Sequence, residues 1–400
     1  MAQQAWVAGS DKPELDAVRV GFLPLTDCAA LVMASVLGLD LKYGIKIVLS
    51  RESSWAGVRD KLGSGELDAA QALYGMVYGV QMGIGGQARD MAVLMNLNQN
   101  GQAITLSSAL AAQGALDGAS LAALMRGQPR AYTFAQTFPT GTHAMYLHYW
   151  LAAHGVDPLR DARVVTMPPP QMVANLRAGQ MDGFCAGEPW GYKAVVDGVG
   201  VTVATSQQIW PDHPGKVLGA RRDFVARHPN TSRALIAAVL DAGKWIDASS
   251  ANKRKMAAII AAPEYLNCNA AMIEPRILGH YQDGLGREWE DARSLKFHRE
   301  GAVNFPYLSD GMWFMTQHRR WGLLKDEPDY LAVATAVNQI ELYKQAAAMT
   351  GTALPSGPLR SSTLIDGGVW DGNDPAGYAA SFAIRHVDRQ GPAQDPDSGS

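Results

Sequence analysis

Trp55, Gln102, His143 and Lys216 supply an indole N–H, a carboxamide, an imidazole and an ammonium, four hydrogen-bond donors with one permanent charge. That set suits a small monovalent anion. Burying an anion is costly unless charge and hydrogen bonds compensate, so the lysine is the residue that makes occupancy possible. Taken singly, each has a plainer reading: a core Trp, a surface Gln, a solvated Lys and a His exposed near a helix start. The anion reading belongs to the set. Catalytic patterns are absent: there is no Gly-x-x-x-x-Gly-Lys-Ser/Thr, Gly-x-Ser-x-Gly, His-Glu-x-x-His or Cys-x-x-Cys. Cys185 with His143 as its base is the one nucleophilic pairing to consider, and a small buried strand residue is the plainer role for that cysteine. The chain reads as a binder, not an enzyme.

The elements expected around these residues aim them at one place. Trp55 opens a helix capped by Ser53 or Ser54, and His143 lies in the first turn of a helix opened by Gly141-Thr142. Helix N-termini carry free amides and positive partial charge, which suits an anion. Gly187, ahead of Pro189, offers a further backbone approach. Gln102 follows Asn98-Gln-Asn-Gly101 at a crossing between lobes, and Lys216 follows His213-Pro-Gly215 on the return. The lobes themselves are suggested by an internal echo. Leu62-Gly-Ser-Gly65-Glu-Leu67-Asp68-Ala and Leu176-Arg-Ala-Gly179-Gln-Met181-Asp182-Gly share a pattern in which a glycine caps a helix and a buried strand follows. One α/β unit used twice implies two lobes facing a cleft, the usual ligand position in such folds.

The remaining sequence sets the frame. At 400 residues the chain is too long for one core, and its net charge of −3 argues against a surface that grips nucleic acid directly. Strands are expected over residues 18–25, 45–49, 67–73, 91–97, 103–106, 131–134 and 164–167, with a helix from Thr26 or Asp27 through Lys42 to Gly44. The division reads as a first lobe over 17–106, a second over 107–212, a return with a C-terminal helical region over 213–385, and a disordered tail over 386–400. The region from Gly351, with Asp366-Gly-Gly-Val-Trp370, is expected to brace the first lobe. Residues 1–16 hold no export signal. A lipoprotein reading of Leu25-Thr-Asp-Cys28 fails on Arg19 and Asp27, and Cys28, Cys185 and Cys268 suit reduced thiols, so a cytoplasmic location is expected. No run has the length of a membrane span.

Longer motifs carry a resemblance over most of the chain. They are Val20-Gly-Phe-Leu-Pro-Leu25-Thr-Asp27, Ser54-Trp55, Asn100-Gly-Gln102, Phe138-Pro-Thr-Gly-Thr-His143, Tyr149-Trp-Leu-Ala-Ala153, Pro169-Pro-Gln-Met-Val-Ala-Asn175, Phe184-Cys-Ala-Gly-Glu-Pro-Trp190, His213-Pro-Gly-Lys216, Trp321-Gly322 and Tyr378-Ala-Ala-Ser-Phe. In these the sequence resembles the NrtA-type nitrate-binding proteins of bacterial ABC transporters and their CmpA-type bicarbonate-binding relatives. The resemblance implies a two-lobed periplasmic-binding-protein-like α/β fold of type II. It implies nitrate contacts at Trp55, Gln102, His143 and Lys216, with backbone near Ala186 and Gly187, and it helps to single these residues out. Bicarbonate-type relatives have an acidic residue at the lysine position and use a metal ion. Lys216 therefore implies nitrate or nitrite, with no metal and no cofactor. The missing export signal resembles a cytoplasmic branch, the NasS-type sensors, in which the sensor holds an RNA-binding NasT-type antiterminator and releases it on ligand binding. The alternative is the solute-binding component of a nitrate ABC transporter.

Overall fold

The computed structural model describes residues 12–387. The expectations for the first eleven residues and for 388–400 lie outside the described residues. Ten strands build two five-stranded sheets. They are β1 (Ala17–Phe22), β2 (Lys46–Arg51), β3 (Ala69–Leu73), β4 (Met91–Asn96), β5 (Gln102–Ser107), β6 (Thr133–Gln136), β7 (Arg163–Thr166), β8 (Gly183–Gly187), β9 (Gly200–Thr205) and β10 (Lys216–Arg221). The first sheet runs β2-β1-β3-β10-β4 and the second β7-β6-β8-β5-β9. In each, four strands are parallel and the one fourth in order, β10 or β5, is an antiparallel insertion carried by a crossing of the chain. The two lobes are thus copies of one topology: β1, β2, β3 and β10 correspond to β6, β7, β8 and β5.

The echoed segments are the same joint in each copy. Gly65 and Gly179 take left-handed backbone, φ 82° and 67°, and end their helices. Asp68 then accepts the Arg19 amide at 2.8 Å, and Asp182 accepts the Thr133 amide at 2.8 Å. An arginine completes each joint, Arg19 on Asp68 and Arg130 on Asp182. Each carboxylate therefore fixes the register of a neighbouring parallel strand.

Three features depart from expectation. The chain enters the second lobe between Asn96 and Gln102, so the strand expected to close the first lobe, β5, lies in the second sheet. The helix expected through Lys42 is three pieces, Thr26–Cys28, Ala29–Val36 and Leu39–Lys42, because Gly38 turns left-handed at φ 66° between the last two. The region from Gly351 does more than brace the first lobe, since its Ile365 amide donates to the Ile209 carbonyl of the second lobe at 2.9 Å, and the helix Leu308–Arg320 before it adds to the contact. That helix packs on Tyr74–Gln81 of the first lobe and on Thr142–Ala153 of the second. Phe314 stacks on Tyr74 at 5.2 Å, His318 Nε2 lies 2.9 Å from the Thr140 carbonyl, and the Tyr149 hydroxyl donates to Asp366 at 2.9 Å. This region clasps both lobes.

The core follows the same division. One cluster fills the second lobe and the face of the first lobe under Leu308–Arg320. The other lies behind the first sheet, under the helix Pro229–Asp247, whose Leu235, Ile236, Val239 and Leu240 are buried as their spacing requires.

Candidate functional site

The lobes meet where the parallel strands end. Lys216 is the first residue of β10 and pairs with Leu73 at the end of β3, while Gln102 is the first residue of β5 and pairs with Gly187 at the end of β8. By the correspondence of the sheets, Lys216 and Gln102 occupy equivalent places in the two lobes. Asp27, in the turn after β1, and His143, in the first turn of the helix after β6, are a second such pair. All four converge on the interlobe space.

Lys216 is wholly buried. Its backbone amide donates to Asn98 Oδ1 at 2.9 Å, which fixes the start of the strand. Its Nζ donates to Asp27 Oδ2 at 2.8 Å, reaches His143 Nε2 at 3.4 Å, and stands 5.9 Å from the centre of the Trp55 ring. The other Asp27 oxygen accepts from Gln71 Nε2, and Gln71 Oε1 in turn accepts the Leu23 amide at 2.7 Å. The carboxylate is therefore held from both sides. Gly187 makes room for the group: a Cβ there would come within 3.1 Å of Asp27 Oδ2 and 3.5 Å of Lys216 Nζ.

His143 Nδ1 lies 2.6 Å from Thr137 Oγ1. Burial first, then the Lys216 charge and His213, hold this imidazole well below its ordinary 6.5, so it is neutral at pH 7. With an ammonium facing Nε2, that nitrogen accepts and Nδ1 carries the proton. The nearby imidazole of His213 is driven down to about 3, chiefly by burial. Cys185 is buried, and burial lifts its thiol to about 12, which removes it as a thiolate nucleophile at neutral pH.

Two polar side chains of the set have no protein partner. Trp55 Nε1, on the ring that stands by Lys216, and both ends of the Gln102 carboxamide are buried and make no hydrogen bond among the described residues. Unpaired buried polar groups are costly, and a convergent set of them marks a ligand site. Trp55 is the first residue of its helix, capped by Ser54 through the Gly57 amide at 3.0 Å. Cross-strand partners share a sheet face, so Gln102 starts from the side on which Gly187 faces Asp27 and Lys216. Ala186 faces the other side by alternation and offers only main chain. The helix Thr142–Ala153, with His143 in its first turn, has no side-chain cap, which leaves its first amides free.

The lobes are shut over these groups. The Thr26 amide donates to the Glu188 carbonyl at 2.7 Å, and Trp190 Nε1 donates to the Pro24 carbonyl at 3.0 Å. Glu188 is itself held by an ion pair with buried Arg276. Of the residues singled out in sequence, Trp55, His143, Lys216 and Gly187 come together, with Gln102 beside Gly187. Asp27 and Gln71 were missed as site residues. The signal for Asp27 was the lysine itself, since a buried ammonium calls for a carboxylate. Among the described residues there is no cluster of His, Cys, Asp and Glu that could hold a metal ion, and no helix long and apolar enough to cross a membrane.

Comparison with known proteins shows the family and the fold. A model of the NMT1-like family matches residues 11–261. The nitrate/nitrite binding protein NrtA of Synechocystis sp. is 36% identical over 395 residues, covering 95% of this chain and 88% of that protein. The bicarbonate-binding protein CmpA of Synechococcus sp. is 30% identical over 409 residues, covering 96% of this chain and 90% of that protein. The crystal structure of the periplasmic nitrate-binding protein NrtA from Synechocystis superposes with a TM-score of 0.88 at 34% identity, covering 93% of this chain and all of that one. The two-lobed α/β architecture is that of the periplasmic binding proteins.

Proposed function

Because the chain belongs to the NMT1-like family and groups with its NrtA-type solute-binding proteins rather than with enzymes, we propose that it binds nitrate or nitrite between its lobes. The observation that carries this reading is the fully buried Lys216 ammonium beside the unpartnered Trp55 Nε1 and Gln102 carboxamide. An ammonium has three N–H bonds, and Asp27 and His143 take two of them. The third, with the indole and the amide, matches the in-plane oxygens of a planar anion. A shift of the His143 proton to Nε2 on binding, with Nδ1 accepting from the Thr137 hydroxyl, gives up the Lys216 contact, frees a second ammonium N–H and adds a neutral imidazole donor. Lys216 supports nitrate over a metal-assisted bicarbonate site, because a cation beside this ammonium is repelled. The test is calorimetric titration of nitrate into the full-length chain in buffer free of competing small anions, with bicarbonate plus calcium as the comparison. Saturable binding without metal is expected; binding of bicarbonate with calcium alone would overturn the assignment.

The finer reading is a cytoplasmic sensor that holds a NasT-type antiterminator and releases it when the anion binds, controlling nitrate-assimilation genes. Its support is the resemblance to the NasS-type branch. The ligand must then prefer a state that binds the partner poorly, and a swing from mostly held to mostly released needs about 5.5 kcal/mol of differential affinity. Nitrate and antiterminator must weaken one another reciprocally. Titrating nitrate into a preformed complex tests this: release at saturation is expected, and an unchanged partner affinity would sink the sensor reading. The transport-component reading is favoured by the names of other relatives, a nitrate import ATP-binding protein and a bicarbonate transport ATP-binding protein. Docking of the nitrate-loaded chain on a permease, with no affinity for the antiterminator, would establish it instead.

A further inference from the structure

We propose that Asp27 is a positioning residue that keeps the Lys216 ammonium charged and aimed into the cleft, so that a monovalent anion enters without an accompanying proton. This rests on the nitrate reading of the site and adds to it the group that makes the lysine usable.

The argument starts from burial. Both side chains of the pair are sealed from solvent, at 0% and 1% exposure. A buried ammonium without a counter-ion sheds its proton instead of remaining charged, and a neutral amine has little to offer an anion. The other titratable groups that interact with Lys216 do not supply the missing charge. They are His143 on the helix Thr142–Ala153, His213 on the return crossing and Cys185 on β8, and all three are held neutral near pH 7. Asp27 is the carboxylate in direct contact with the ammonium. Its orientation is fixed independently of Lys216, because Gln71 donates to one oxygen while accepting the Leu23 amide, which leaves Oδ2 for the ammonium. The turn that carries Asp27 also donates the Thr26 amide to the Glu188 carbonyl of the other lobe, so the pair lies beside the contact that joins the lobes.

Asp27→Asn separates this role from a merely structural one. Nitrate should bind the native chain with the same heat in Tris and in HEPES at pH 8, since no proton is exchanged. In Asp27→Asn the anion must bring a proton to Lys216. Nitrate affinity should then fall by up to about tenfold per pH unit above neutrality, and the heat should differ between the two buffers. Without nitrate, Asp27→Asn should grow more stable relative to the native chain as pH rises from 7 to 9, because a lysine discharged in the fold binds fewer protons than in the unfolded chain. If Asp27→Asn folds poorly, Asp27→Asn/Lys216→Gln should fold better than either single variant, as expected when one charge exists to balance the other. Affinity, pH profile and buffer heat unchanged in Asp27→Asn, or no rescue in the double variant, would overturn the proposal. A native chain that fails to bind nitrate at all, with the rescue intact, would overturn the ligand and leave the pair.

Discussion

Lys216 Nζ stands 2.8 Å from Asp27 Oδ2, and neither side chain touches solvent. A pair of this kind is poor evidence of stability while intact, yet removing one member leaves the other charge buried alone. That costs about 3–5 kcal/mol. Lys216→Met should therefore lose nitrate binding and lower the unfolding free energy by that amount. Urea denaturation gives the second quantity independently of any ligand. Lys216→Glu should be worse on both counts, because it sets two carboxylates against each other and against the anion.

The histidines set the pH behaviour. His143 is held well below 6.5, His148 and His318 are driven down to about 4 and His213 to about 3, in each case chiefly by burial. An imidazole with a depressed folded value binds more protons when unfolded. Its stabilisation is present above the unfolded value near 6.5 and is lost as pH falls toward the folded one. Each such group removes up to about 1.4 kcal/mol per pH unit in that window. Urea midpoints should fall steeply from pH 6.5 to 5.5, and His148→Phe should take one group's share out of the slope. Nitrate affinity, in contrast, should be flat between pH 8 and 6.5, since His143 is neutral throughout. Binding that strengthens over that range would mean an imidazolium contact.

The duplicated joints were readable as a sequence echo, but their mechanics were not. The glycines and the strands that follow were local signals. The partners of Asp68 and Asp182, the Arg19 and Thr133 amides, come from strands 49 residues away in each case. Asp68→Ala and Asp182→Ala should each cost about 1.5–3 kcal/mol, the worth of a hydrogen bond to a charged group. The half-exposed arginines add little. Because the two joints lie in different lobes, their costs should add in the double variant, which denaturant melts would show.

The same limit explains the site. Trp55, His143 and Lys216 announce themselves through caps and crossings, features of neighbouring residues. Asp27 sits in a run that reads as the start of a helix, and only the third dimension brings it to Lys216 across 189 residues. Gln71, buried in β3, gives no local sign that its amide holds the Asp27 carboxylate. The clasp by Leu308–Arg320 was hidden for a related reason. An apolar helix face shows that it must be buried, but not that it will lie across two lobes.

That clasp bears on how the cleft closes. Gly75 lies in the first turn of the helix Tyr74–Gln81 under Leu308–Arg320, and a Cβ there would come 2.2 Å from the Thr140 carbonyl of the second lobe and 3.0 Å from Phe314. The backbone at Thr140 cannot yield without moving His318, which contacts the same carbonyl. Gly75→Ala should therefore hold the lobes apart while leaving Trp55, Gln102 and Lys216 in place. Overpacking of this kind costs about 1–3 kcal/mol. If closure and nitrate binding are coupled, that cost appears as a loss of affinity of roughly 5-fold to 150-fold, with a larger radius of gyration in solution scattering at saturating nitrate. Native affinity in Gly75→Ala, with an unchanged scattering profile, would show that the contact gives way elsewhere and that closure does not depend on it.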